Sequence, residues 1–185
     1  MWELPEEVIL SAGHSEGITP LNAFDNSLSD AGVADFNLIR VSSIIPPGAK
    51  IVKLPVGTML ASRRSFFPGM FVPTVYEYVV SEQRGEVIAV AIGAGIPVDK
   101  KRNGVIAEYK CIGEKYEAEK MVEKMVREMF KQRKTILKEI KIVSAQHCVK
   151  KIGCAVAVAL LLKERTSFPF SHGGHGKKHN VLKIL

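Results

Sequence analysis

Two adjacent serines, Ser42 and Ser43, stand between an apolar segment and a pair of prolines. The Ser43 hydroxyl is placed to attack the carbonyl carbon of Ser42, which would exchange the peptide bond for an ester. β-Elimination would then release residues 1–42, and hydrolysis of the dehydroalanine left behind would give a pyruvoyl group on Ile44. Serine alone is a poor nucleophile, so this chemistry needs backbone strain and a donor for the carbonyl oxygen. A strand forced to turn before two prolines could supply the strain.

The balance of charge changes sign at the same serines. Residues 1–42 hold one base and seven acids, whereas residues 43–185 hold 25 bases and 12 acids. Two pieces of opposite charge would attract each other if the bond between them broke. Chance clustering of solvated charge explains the same asymmetry, and an ordinary turn explains adjacent serines. The residues alone therefore leave both interpretations open.

Composition indicates one globular domain that lies in a reducing compartment. The chain has 185 residues, of which 46% are hydrophobic and 24% are charged, which suits a single packed core. Its three cysteines are far apart and form no CxxC pair, which predicts reduced thiols and a cytoplasmic location. The N-terminus lacks the pattern of a signal peptide. The longest apolar run, residues 152–162, is shorter than the ~20 residues of a membrane span, so no membrane contact is expected.

Apolar periodicity predicts two helices. The first begins at Thr19-Pro20, with threonine as N-cap and proline at the first helical position, and ends near Gly32. Its apolar stripe is predicted to be Leu21, Phe24, Leu28 and Ala31. The second helix is predicted from residue 114 to about 134. Its stripe is predicted to be Tyr116, Val122, Met125, Met129 and Phe130.

Runs of β-branched and other apolar residues predict the strands. These are residues 8–10, 36–41, 51–54, 71–81, 86–96, 104–111, 137–146 and 152–162. Two helices against many strands indicate a layered α+β sandwich, a single domain over residues 1–162. Residues 55–69 are predicted to be an irregular loop, and residues 163–185 a disordered basic tail rich in glycine and histidine. The tail histidines match no metal motif, so no metal site is predicted.

Several segments between about residue 8 and residue 162 stand out together. They are Ser15-Glu16-Gly17-Ile18-Thr19-Pro20-Leu21-Asn22-Ala23-Phe24-Asp25, Asn37-Leu38-Ile39-Arg40-Val41-Ser42-Ser43-Ile44 with Pro46-Pro47, Val72-Pro73-Thr74, Ile96-Pro97 with Asp99-Lys100, Glu108-Tyr109, Glu117-Ala118-Glu119 and Gly153-Cys154-Ala155. In their order and spacing these segments resemble the pyruvoyl-dependent arginine decarboxylases.

The resemblance implies a four-layer αββα sandwich that cuts itself between Ser42 and Ser43. The products would be a chain of residues 1–42 and a chain starting at position 43, assembled as a homotrimer or a dimer of trimers. The resemblance implies a covalent pyruvoyl cofactor made from Ser43. The reaction would convert L-arginine to agmatine and carbon dioxide, a step towards polyamines. The arginine α-amine would form a Schiff base with the pyruvoyl ketone, and the conjugated carbonyl would accept the electrons left by carbon dioxide.

Two acids receive roles from the resemblance. Glu108 matches the family's proton donor, for which it must be protonated near neutral pH, as a poorly solvated site can arrange. An exposed strand glutamate is the plain alternative. Asp25 matches the acid that binds the guanidinium group. Its place at the edge of the first helix's apolar stripe independently calls for a partner, which is either the substrate or an internal base.

Further residues follow from the same match. Asn37 and Ser42 lie near the cleavage site, where an amide or hydroxyl could polarise the carbonyl that is attacked, although Asn37 suits an ordinary strand start equally well. Ser15, Glu16, Leu28 and Ile44 are assigned to the substrate pocket. A plain turn at Glu16-Gly17 is the simpler account of that pair.

The chain departs from the family pattern around residues 56–67, where it is about a dozen residues longer than that pattern. The extra stretch carries Arg63 and Arg64. Two positive charges near the site would oppose a cationic substrate. A pyruvoyl decarboxylase of another amino acid therefore stays open, as does a homologue that does not process itself and acts as a basic binding protein. Nucleic acid is not the expected partner, because the bases are not interleaved with a platform of stacking aromatic residues.

Overall fold

The computed structural model describes residues 4–55, 57–60 and 66–163. The predicted Arg63–Arg64 segment and residues 164–185 of the predicted tail lie outside the described residues. Within these ranges the chain forms nine strands and two helices. The elements are β1 (Glu7–Glu16), α1 (Pro20–Asp30), β2 (Asn37–Arg40), β3 (Ile44–Ile45), β4 (Lys50–Lys53), β5 (Phe71–Ser81), β6 (Val87–Pro97), β7 (Gly104–Ile112), α2 (Lys115–Gln132), β8 (Leu137–Cys148) and β9 (Gly153–Leu162).

The strands form two sheets, and each sheet carries one helix. Sheet A has the order β2-β5-β9-β1-β4, and sheet B has the order β3-β7-β6-β8. One buried cluster lies between the sheets, a second lies between α1 and sheet A, and a third lies between α2 and sheet B. The predicted four-layer αββα sandwich is therefore confirmed.

Strand β1 occupies an interior position of sheet A although it comes first in the chain. It pairs antiparallel with β9 along its whole length, from Glu7–Leu162 to Glu16–Gly153. On its other side it pairs parallel with β4 over residues 7–10. The sequence predicted only residues 8–10 of this strand, because its second half carries polar residues and a glycine and has no apolar run.

Helix α1 packs unusually close to sheet A because small residues line the contact. Thr19 caps the helix by accepting a hydrogen bond from the Asn22 N–H at 3.2 Å, as predicted. A Cβ on Gly13 of β1 would lie 2.5 Å from the Ser27 carbonyl oxygen. The Ser27 hydroxyl in turn donates to the Cys154 carbonyl of β9 at 3.0 Å.

The predicted stripe of α1 is therefore partly wrong. Ala23, Ser27 and Leu28 are the buried residues of the helix, whereas Leu21 is 74% exposed. The small side chains set the helix rotation, which turns Leu21 outward. In α2 the predicted Val122 and Phe130 are buried as expected, but Tyr116 is 67% exposed at the first turn.

Helix α2 covers the centre of sheet B over two glycines of β6. A Cβ on Gly95 would lie 2.5 Å from Val126 Cγ1 and 2.6 Å from Phe130 Cε2. Strand β6 is buried on both faces almost throughout, which suits its continuous apolar run. Within the described residues, no helix is both long and apolar enough to cross a membrane.

Candidate active site

The Ser42–Ser43 bond lies where the chain crosses from one sheet to the other. Strand β2 ends at Arg40 on the edge of sheet A, and β3 begins at Ile44 on the edge of sheet B. The Ser43 carbonyl already accepts a hydrogen bond from the Ile106 N–H of β7 at 2.9 Å. The two serines are thus held at the open edge of the sandwich, between two anchored strands.

Strand β3 was not predicted. Its two residues, Ile44 and Ile45, pair with Val105 and Gly104 of β7. A bridge of two residues has no periodicity, so the sequence indicated only a turn before the prolines. The bridge matters because it fixes the chain immediately after the serine pair.

A turn hydrogen bond spans Ser43. The Ile44 N–H donates to the Ser42 carbonyl oxygen at 3.1 Å, which bends the backbone over three residues. Neither serine adopts a positive φ; among the described non-glycine residues only Lys134 does. The backbone donor that the cleavage reaction needs is therefore in place, whereas the predicted strain does not take the form of a left-handed residue.

The Ser43 hydroxyl donates to Oε2 of Glu108 at 3.4 Å, a long hydrogen bond in a half-buried setting. Glu108 lies on β7 two residues after Ile106, so strand alternation turns both side chains towards the space between the sheets. Burial raises the pKa of Glu108, and the negative charge of Glu77 adds to this, while the Ser43 hydroxyl and Arg40 oppose it. The structure thus brings together the predicted nucleophile and the predicted proton donor.

A second acid, Glu77 of β5, lies beside this pair and was missed by sequence reasoning. Its carboxylate accepts from Lys110 Nζ at 3.1 Å and lies 3.9 Å from the Arg40 guanidinium. Val75 and Val79, two residues to either side, pack in the core between the sheets. An acid at the inward position of an alternating strand was the signal that could have found it.

Asp25 is exposed on α1, on the outer face of sheet A. Its neighbour Phe24 packs on the Tyr78 ring of β5, with the ring centroids 4.6 Å apart. Sheet A therefore separates the helix from the space between the sheets into which Glu108 points. Leu28 is buried between α1 and sheet A, so within one chain it belongs to the outer core.

Glu16 is engaged by the turn between β8 and β9. Its two carboxylate oxygens accept the N–H groups of Lys150, Lys151 and Ile152 at 2.8–3.1 Å, and its Oε1 lies 2.6 Å from His147 Nε2. Burial alone would raise its pKa, but these hydrogen bonds outweigh burial and lower the pKa to about 2. Within one chain this carboxylate therefore stabilises a turn.

The remaining predicted site residues lie at several places. The Ser15 hydroxyl donates to the Glu16 carbonyl at 3.4 Å. The Asn37 amide donates to the Gly69 carbonyl at 2.8 Å, at the start of β2. Ile44 is exposed, next to the serine pair. Of the predicted residues, the structure places Ser42, Ser43, Ile44 and Glu108 together.

The chain matches known proteins along most of its length. The family model described as pyruvoyl-dependent arginine decarboxylase matches residues 7–166. A pyruvoyl-dependent arginine decarboxylase of Methanocaldococcus jannaschii is 46% identical over 160 residues, which are 86% of this chain and 92% of that protein. The protein of the same name from Pyrococcus abyssi is 39% identical over 162 residues, 87% of this chain and 97% of that protein. A solved structure of a pyruvoyl-dependent histidine decarboxylase is 18% identical, with a TM-score of 0.41 over 55% of this chain and 53% of that chain.

Proposed function

This chain belongs to the pyruvoyl-dependent arginine decarboxylase family, and from that membership and the geometry of the site we propose that it converts L-arginine to agmatine and carbon dioxide. Its cofactor is a pyruvoyl group derived from Ser43. The contact between the Ser43 hydroxyl and the half-buried Glu108 carboxyl is the observation that carries the proposal.

The residues around position 43 fit such a group. In the uncut chain, the Ser43 hydroxyl attacks the Ser42 carbonyl carbon, and the Ile44 N–H supports the negative charge that develops on the carbonyl oxygen. The ester that forms loses the Ser43 α-proton and releases residues 1–42 as a carboxylate. This elimination leaves a dehydroalanine at position 43. Its hydrolysis by water releases the nitrogen as ammonia and gives the pyruvoyl ketone. These steps need no co-reactant except water.

A pyruvoyl group supplies an electron-withdrawing carbonyl that accepts the electron pair left by departing carbon dioxide. Glu108 holds a proton on its carboxyl group beside position 43 and delivers it to the carbon atom from which carbon dioxide has left. Its raised pKa keeps this proton in place at a pH where an ordinary glutamate is ionised. The half-buried setting limits competition by water for the same carbon atom.

The guanidinium group is bound by Asp25 of a second copy of the chain. Within one chain sheet A stands between α1 and the Ser43 edge, so the exposed Asp25 carboxylate does not complete its own site. An assembly of copies, a homotrimer or a dimer of trimers, supplies it to a neighbour. The three cysteines are unpaired, which fits a cytoplasmic setting.

One set of measurements tests the whole proposal. A denaturing gel and a mass spectrum of the purified protein should show two pieces, residues 1–42 and residues 44–185 with a pyruvoyl cap that borohydride reduces. Carbon dioxide release should then be compared across arginine, lysine, ornithine and histidine. A single intact chain would end the catalytic proposal, and a preference for another amino acid would end the assignment of arginine.

A further inference from the structure

We infer that Glu77 is a positioning residue for the Glu108 proton. It acts as the counter-ion of Arg40 and Lys110, and so draws both cations away from direct contact with the Glu108 carboxyl. The inference rests on the proposed role of Glu108 as proton donor. It concerns a residue that neither reacts nor contacts the cleaved bond.

The two acids lie on facing strands. Glu77 lies on β5 of sheet A and Glu108 on β7 of sheet B, and both side chains point into the space between the sheets. Lys110 is two residues after Glu108 on the same face of β7. Its ammonium group nevertheless lies 3.1 Å from Glu77, across the space between the sheets.

Both cations also contact residues of β5 other than Glu77. The Arg40 guanidinium donates to the Tyr76 carbonyl at 2.9 Å and lies over the Tyr76 ring, 4.9 Å from its centroid. Lys110 Nζ lies 5.7 Å from the centroid of the Tyr78 ring. These contacts hold the positive charges on the sheet A side of the site, while Glu108 keeps its contact with Ser43.

The acid and its two cations differ in solvent exposure. The Glu77 side chain is only 19% exposed, whereas those of Arg40 and Lys110 are 52% and 51% exposed. Without the Glu77 charge, the two cations would lie near Glu108 with no other acid between them to offset their charge. A cation within reach favours the ionised form of a carboxyl group, so Glu108 would release its proton at lower pH.

Within the described residues, the charged and polar groups that face Glu108 are Glu77 on β5, Arg40 on β2, Lys110 on β7 and the Ser43 hydroxyl. The residue paired with Glu108 on β6 is the apolar Ile92. Glu77 is the one acid among these groups, and its single negative charge offsets one of the two positive charges. Its loss would therefore change the balance of charge beside Glu108 directly.

The test is a titration of the glutamate carboxyl carbons by NMR in the full chain, with the Glu108 signal identified by its loss in Glu108→Gln. Glu77→Gln should lower the Glu108 midpoint by about 1 pH unit, the effect of one opposite charge nearby. Glu77→Asp, which keeps the charge, should leave the midpoint near the wild-type value. In the double variant Glu77→Gln, Lys110→Gln, the Glu108 midpoint should lie between those of Glu77→Gln and the wild type, because one of the two cations is removed.

An unchanged Glu108 midpoint in Glu77→Gln would overturn the inference. Should that variant not fold, Glu77→Thr, which suits a strand, takes its place in the same titration. The titration needs no turnover, so it is readable even if arginine is not decarboxylated. If Glu77→Gln lowers the Glu108 midpoint but the protein releases no carbon dioxide, the proposed function is wrong and the counter-ion role of Glu77 is supported. In a decarboxylating enzyme, Glu77→Gln should also move the alkaline limb of kcat to lower pH by the same amount.

Discussion

The Ile44 N–H donates a hydrogen bond to the Ser42 carbonyl oxygen at 3.1 Å, across the residue that would attack that carbonyl. Because the donor belongs to the backbone, substitution of side chains on either side leaves it in place. The cleavage reaction can therefore be tested at Ser43 alone, with the polarising group retained.

Ser43→Ala should abolish cleavage and decarboxylation together, because the nucleophile and the source of the cofactor are the same side chain. A denaturing gel should show one intact chain, and carbon dioxide release from arginine should fall to background. Ser29→Ala, a change at an exposed serine of α1, is the matched control and should cleave normally. Normal activity of the Ser43→Ala protein would rule out a pyruvoyl group from this residue.

Glu108→Gln should still cleave but should decarboxylate slowly, on the order of a hundredfold or more below wild type, as expected for a lost general acid. The gel and the carbon dioxide assay report the two steps separately. Glu82→Gln, at an exposed glutamate, is the control.

The pH profile gives a second readout of Glu108. Its pKa is raised in the folded protein, so the proton-donating form is present below that pKa and is lost as pH rises through it. Wild-type kcat should therefore fall on the alkaline side, with a midpoint above that of an ordinary glutamate. The Glu108→Gln enzyme should lack this fall of kcat on the alkaline side. An unchanged fall in that variant would show that another group causes it.

Asp25→Asn should raise KM for arginine about tenfold or more, because the guanidinium group loses a charged partner worth about 1.5–3 kcal/mol. Cleavage should be normal, since Asp25 lies on the far side of sheet A from the serine pair. Asp35→Asn, another exposed acid, should leave KM unchanged.

A mixing experiment tests whether Asp25 acts in a neighbouring copy. Asp25→Ala and Glu108→Gln proteins, each weakly active, should recover activity after they are unfolded and refolded together, because some sites then combine an intact residue from each. Mixtures that stay as inactive as their parents would place both residues in the site of one chain.

Glu16→Gln should lower the free energy of unfolding by about 1–3 kcal/mol at pH 7, because the turn between β8 and β9 loses hydrogen bonds to a charged carboxylate. The folded-state pKa of about 2 lies below the ordinary value of 4.5, so this stabilisation is present above pH 4.5 and is lost as pH falls towards 2. In urea unfolding, the difference in free energy of unfolding between the wild type and Glu16→Gln should thus shrink as the pH falls. A gap of constant size between pH 7 and pH 3 would contradict the role of the ionised carboxylate.

The layers of this fold could be predicted from the sequence because they follow from strong local patterns. The cap at Thr19, the continuous apolar runs of β6 and β9, and the apolar periodicity of α2 all predicted elements that the structure contains. The orientation of α1 could not be predicted. It is set by the close approach of Gly13 to Ser27, which depends on residues distant in sequence.

Part of the site could not be predicted from local patterns. Ser43 was singled out by the serine pair and Glu108 by the family resemblance, but their contact joins residues 65 positions apart. Glu77 was missed because its role comes from charges on two other strands. The assignment of Glu16 to the pocket gave no weight to a turn more than 130 residues later in the chain, which engages its carboxylate.

The interior place of β1 in sheet A ties the N-terminal residues to a strand that is made much later. Strand β1 has its longest partner in β9, the last strand of the domain, so it stays unpaired on that side until β9 has been made. The serine junction is anchored separately, through the bond from the Ile106 N–H of β7 to the Ser43 carbonyl. A break at that junction in the folded domain would leave the N-terminal piece enclosed by neighbours on both sides of β1.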